Sequence, residues 1–224
     1  MKKYLLSLLF VVAPLLSWGQ AFDPEISEHP ELAIKDIESR WASKSLTVNK
    51  AYTKTRIWGF AKAFCSQYQG YTPNLALLDY LKKPGRYDMD EKHYYVEDAP
   101  RNGYIKCDMM WQFDFKTEIC YWRRPNGHSL VGVLMQMGHE GEGAKDDHAL
   151  LFYDFNPITN TMTPDLQVYQ SVKEILARHK GNSSMRLPLE GKDISVVCVE
   201  WIGTDEEDFR FEEFQLKWTG NGFK

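Results

Sequence analysis

Residues 104–115, YIKCDMMWQFDF, carry the pattern that decides the fold class. Ile105, Cys107, Met109, Trp111, Phe113 and Phe115 alternate with Tyr104, Lys106, Asp108, Met110, Gln112 and Asp114. A period of two is that of a β-strand with one face in a core and the other mostly wet, as antiparallel sheets allow. A second strand is expected around Ile119–Arg124, Pro125-Asn126-Gly127 marks a turn, and a third strand follows at Leu130–Met137. After a connection rich in glycine and acids, Gly138–Asp147, the run Ala149–Phe155 is almost unbroken apolar and reads as a strand covered on both faces. Together these make a meander of four strands.

Upstream the period becomes 3.6. Ile57, Phe60, Ala61, Phe64, Cys65 and Tyr68 form one stripe of a long amphipathic helix that Gly70 ends. Thr72-Pro73 reads as the cap and first-turn proline of a second helix through Leu75, Leu78 and Leu81, stopped by Pro84-Gly85. Residues 20–48 read as a lead-in with a short helix, Pro30 at its first position and Ile34, Ile37 and Trp41 at helical spacing. Downstream, Thr163-Pro164 repeats the cap-plus-proline device for a helix through Leu166, Tyr169, Val172 and Leu176, closed by Gly181. Two strands, Ile194–Ile202 and Phe209–Trp218, end the chain. The apolar set of the last one changes phase between Phe211 and Phe214, so a β-bulge is expected near Glu212-Glu213. Strands in runs, with helices before and after, define an α+β class: an antiparallel meander packed on a long N-terminal amphipathic helix, with residues 49–224 as a single domain.

The first nineteen residues read as a secretory signal peptide: Lys2-Lys3, an apolar run Tyr4–Leu16, then Ser17-Trp18-Gly19 with small residues at alternate positions. Cleavage is expected after Gly19, with Ala21 as the competing position. The first cysteine, Cys65, is far from any lipid-attachment position, and no other stretch nears the roughly 18 apolar residues of a spanning helix. A soluble, periplasmic or extracellular product is expected. Loss of Lys2 and Lys3 takes the formal charge from −4 to −6, and the mature chain has only Lys82-Lys83 and Arg123-Arg124 as adjacent basic pairs. That argues against nucleic acid, which needs a basic stripe. Cys65, Cys107, Cys120 and Cys198 lie far apart with no metal-type spacing, which leaves buried thiols and disulfides both open.

Few residue groups carry recognisable chemistry. The stretch from His139 to His148, with Glu140, Glu142, Asp146 and Asp147, is dense in metal-ligand types, but its spacing matches neither H-E-x-x-H nor an EF-hand, so a solvated loop is expected and no metal is assigned. There is no G-x-S-x-G elbow and no phosphate-cradling glycine loop. Ser129 and His128 are adjacent and would point to opposite faces of a strand. Cys65 is expected mid-helix on the buried face, where a reactive thiolate is unfavourable. Acidic runs Asp88-Met89-Asp90-Glu91, Asp205-Glu206-Glu207-Asp208 and Glu212-Glu213 read as wet turn tips, since sequence shows no pair set across a cleft. No catalytic residue and no cofactor is assigned.

Aromatic content points toward binding. Tyr94-Tyr95, Trp111, Tyr121-Trp122 and Trp201 fall on or beside expected strands, and an exposed aromatic platform stacks on sugar rings or holds an apolar ligand. The amphipathic helix followed by a meander, about residues 50–155, resembles the cystatin-like or nuclear-transport-factor-like cone, in which a curved sheet wraps a helix. The signal sequence and the Trp/Tyr-rich strands resemble uncharacterised exported proteins of Bacteroidota, a group that implies no shared activity. The expected function is a binding or interaction module for a glycan, another small ligand or an envelope protein, with a carboxylate- or metal-dependent hydrolase as the alternative.

Overall fold

The computed structural model describes residues 30–52, 55–84, 94–110, 114–138, 147–203 and 209–224. The signal peptide, both cleavage positions, the acidic run 88–91, Trp111 and most of the His139–His148 stretch lie outside the described residues.

The described chain is α+β. Its helices are α1 (Pro30–Arg40), α2 (Arg56–Gln67), α3 (Thr72–Tyr80) and α4 (Leu166–Leu176). Its strands are β1 (Leu46–Thr47), β2 (Tyr94–Ala99), β3 (Tyr104–Met110), β4 (Asp114–Arg123), β5 (Ser129–Gly138), β6 (Asp147–Asn156), β7 (Thr161–Pro164), β8 (Asn182–Arg186), β9 (Ile194–Trp201) and β10 (Phe209–Leu216). One antiparallel sheet has the order β1-β7-β6-β5-β4-β3-β2, and a second has the order β10-β9-β8. None of the described helices is long and apolar enough to cross a membrane.

Residues 104–115 hold two strands rather than one. Met110 pairs with Asp114, so the chain reverses within the run and Phe115 belongs to β4. Paired residues of β3 and β4 have the same parity, from Tyr104↔Cys120 to Met110↔Asp114, so both strands share one alternation. At the next turn, Gly127 takes a positive φ of 82°, where a side chain would be strained, and Arg124 N–H donates to the His128 carbonyl.

Register sorts the large sheet into two covered faces. Ile119 and Tyr121 of β4, Val131 and Val133 of β5 and Tyr153 and Phe155 of β6 lie on the side of α1, α2 and α3. There Phe60 meets Tyr121 and Phe155 edge-on, Trp41 meets Tyr153, and Thr117 donates to Asn74 of α3. On the opposite side, Trp122 donates to the Lys192 carbonyl and stacks on Trp218, while Phe152 meets Phe223. The second sheet docks there through polar side chains: Gln136 accepts from Met185 N–H and donates to Ser184, and Glu118 accepts from Leu187 N–H and pairs with Lys116 at 3.0 Å. The buried Gln136 and Glu118 side chains thus gain the partners that burial demands.

Two local expectations are corrected. Asp165 caps α4, its carboxylate accepting from Val168 N–H, while Thr163 and Pro164 end β7. Thr72 and Pro73 already lie inside α3, after Tyr71 at the cap. The expected β-bulge near Glu212-Glu213 is also absent: β10 pairs with β9 without interruption from Phe209↔Trp201 to Leu216↔Ile194. The apolar phase shift therefore places side chains on opposite faces of one regular strand.

Candidate functional site

That uninterrupted register builds an apolar surface. Ile194, Val196 and Cys198 of β9, with Leu216 of β10 and Met185 of β8, face inward and are buried. The alternate residues Val197, Val199, Trp201, Phe209 and Phe211 therefore share the outer face. Trp201 is 60% exposed and Phe211 is 67% exposed, while Val197, Val199 and Phe209 are half-buried among them. The Phe209 and Phe211 ring centroids lie 6.4 Å apart. β10 forms the outer edge of this sheet.

Of the described residues in the aromatic platform expected from sequence, only Trp201 is part of this surface. Tyr94 is buried and donates to Asp79, whereas Tyr95 is exposed on the far edge strand β2. Tyr121 and Trp122 point to opposite faces, and both meet covering layers: α2 on one side, the C-terminal segment on the other. Phe209 and Phe211 had only one sequence signal, the phase shift itself.

A second concentration of polar groups surrounds the β4–β5 turn. Arg124 is nine-tenths buried and donates from Nη1 to Asp154 at 2.5 Å and from Nη2 to Asp165 at 2.6 Å. His128 Nδ1 lies 2.6 Å from the second Asp154 oxygen. A carboxylate only accepts, so Nδ1 carries a proton and Nε2 is the ring nitrogen left for other contacts. Above this network opens a cavity of about 450 Å³ lined by Arg56, Pro100, Tyr121, Arg123, Arg124, His128 and Ser129. The sequence pointed to Arg123-Arg124 and to His128-Ser129 separately; Arg56 joins them only through the packing of α2 on the sheet.

Among the described residues, the other sequence candidates do not converge. All four cysteines are free and buried, and burial pushes the Cys65, Cys107 and Cys120 thiols well above the usual range. His148 is half-buried on β6, with Nε2 3.5 Å from Ser183 Oγ, and residues 139–146 lie outside the described residues. Among the described residues, no group of three or more His, Cys, Asp or Glu is placed to hold a metal. The acidic run 205–208 lies outside them, whereas Glu212 pairs with His179 at 3.0 Å. No known family, curated protein or solved structure matches the chain.

Proposed function

We propose that the chain is an exported binding module, periplasmic or extracellular, that takes up a segment of an envelope protein on the outer face and edge of β9–β10. The exposure of Trp201 and Phe211 on one face of a sheet ending in β10 carries this reading. An extended polypeptide can add to a sheet edge through its backbone while alternate side chains cover the neighbouring face. Contiguous exposed apolar surface is the feature that marks interaction sites. Glu213 of β10, which shares the face of Phe211, and Asp205-Glu206-Glu207-Asp208 just before the strand in sequence favour a partner segment that mixes apolar and basic residues. Export rests on Lys2-Lys3 and the apolar run after them, in keeping with the resemblance to exported Bacteroidota proteins. Helices lying on an antiparallel meander support the cystatin-like or nuclear-transport-factor-like reading of residues 50–155.

The test is site-specific photo-crosslinking in cells that make the full chain. A photoreactive residue at Phe211 should yield a discrete crosslinked polypeptide, and one at Ile158, 85% exposed in the β6–β7 turn, should not. Equal capture at both positions, or none at Phe211, would sink the proposal.

A further inference from the structure

We propose that the cavity at the β4–β5 turn is a binding site for the oxyanion of a small acid, either a free anion or the acid group of a sugar-sized ligand. This inference is independent of the β9–β10 reading. Arg124 is committed to Asp154 and Asp165, so its charge is already balanced within the protein. Arg56 and Arg123 are different: both are exposed at the cavity wall, and neither forms an ion pair among the described residues. Two uncompensated guanidiniums facing one cavity repel each other and favour a shared anion. Carboxylates, sulfates and phosphates are the groups whose geometry a guanidinium fork matches.

A further observation points to an occupant. The His128 ring lines the cavity and is oriented by Asp154 through Nδ1, so Nε2 is the ring nitrogen left for a second polar group. The remaining walls suit a ligand body rather than a bare ion alone. Tyr121 and Pro100 offer apolar surface, Ser129 offers a hydroxyl, and the volume falls in the range of small-molecule pockets. Gly103 lies against the Tyr121 ring so closely that an added Cβ would come within 2.6 Å of it, which fixes that wall in place.

The test is calorimetric titration of the purified full chain at low ionic strength with sodium sulfate, sodium glucuronate and uncharged glucose. Saturable binding of at least one of the two anions is expected, with none for glucose. Arg56→Gln and Arg123→Gln should each weaken it roughly tenfold or more, and the double variant should abolish it. Because neither arginine is in an ion pair among the described residues, both variants should keep the unliganded melting temperature, and that measurement separates lost binding from lost folding. Sulfate bound as tightly as glucuronate identifies a free oxyanion as the occupant. Tighter glucuronate identifies an acidic sugar. No saturable binding of either anion, or binding undiminished in the folded double variant, would overturn the proposal.

Discussion

Trp122 and Trp201 both sit on strands, yet the two sheets treat them in opposite ways. Trp122 is 4% exposed, donates to the Lys192 carbonyl and lies between Trp218, Phe223 and the backbone of Gly132. Trp201 is 60% exposed at the end of β9. The large sheet is covered on both faces over its central strands, so an aromatic side chain on either face of β4 finds a covering layer. Among the described residues the second sheet is covered on one face, and the same alternation of side chains turns apolar groups outward. Apolar residues are not confined to interiors, and it is a contiguous exposed group that calls for explanation.

The comparison predicts unequal costs. Trp122→Ala should lower the unfolding free energy by about 3–5 kcal/mol, the range for truncating a buried aromatic. Trp201→Ala should change it by about 0.5 kcal/mol or less, as for an ordinary surface position. Urea unfolding of both variants checks this. A comparable loss in Trp201→Ala would mean that its face is covered in the folded protein, and the interaction surface would have to be sought elsewhere.

The same two strands show what can be read from a sequence. The stripe Ile57, Phe60, Ala61, Phe64 and Cys65 was legible because one helix face meets one core, and all five are buried in α2. The reversal inside 104–115 was not, because the β3–β4 register pairs residues of equal parity, so the odd-numbered residues of both strands share the helix side. β7 and β8, with the sequences TMTP and NSSMR, have too few apolar residues for any period to show. The expected bulge in β10 came from assuming that Phe209 and Phe211 must face the same core as Phe214 and Leu216. Regular pairing shows that they face away from it, and that error is where the candidate surface lay. The basic cavity was out of reach for another reason: Arg56 and Arg123 lie on different elements that only tertiary packing brings together.

A smaller effect tests how tightly the covered side is filled. Gly132 pairs with Cys120 and lies diagonally across from Trp122, where an added Cβ would come within 2.8 Å of the indole ring. The ring has little room to retreat, since its Nε1 is held by Lys192 and its faces by Trp218 and Phe223. Gly132→Ala should therefore cost about 1–3 kcal/mol by overpacking, despite the general advantage of alanine over glycine in a strand. A neutral or stabilising result in thermal unfolding would show that the layer over Trp122 yields, and would weaken the contrast between the two sheets.

The smallest expected effect concerns what holds that layer down. Asp193 accepts from Trp218 N–H and from Lys217 Nζ, each at 2.9 Å. The backbone hydrogen bond from Trp218, followed by Lys217, holds its carboxyl below the usual carboxylate range. A folded-state value depressed below the unfolded one gives stability that is complete above the ordinary aspartate range and is lost as pH falls through the lowered value. Asp193 is largely in contact with solvent, so the contribution is screened and modest. Acidification below about pH 4 should therefore loosen the C-terminal segment before the chain unfolds, and near-UV circular dichroism should report it through the Trp122–Trp218 stack. In Asp193→Asn this early acid step should disappear. If it persists unchanged, the covering of Trp122 does not depend on this carboxylate, and the segment must be held by the packing of Trp218 and Phe223 alone.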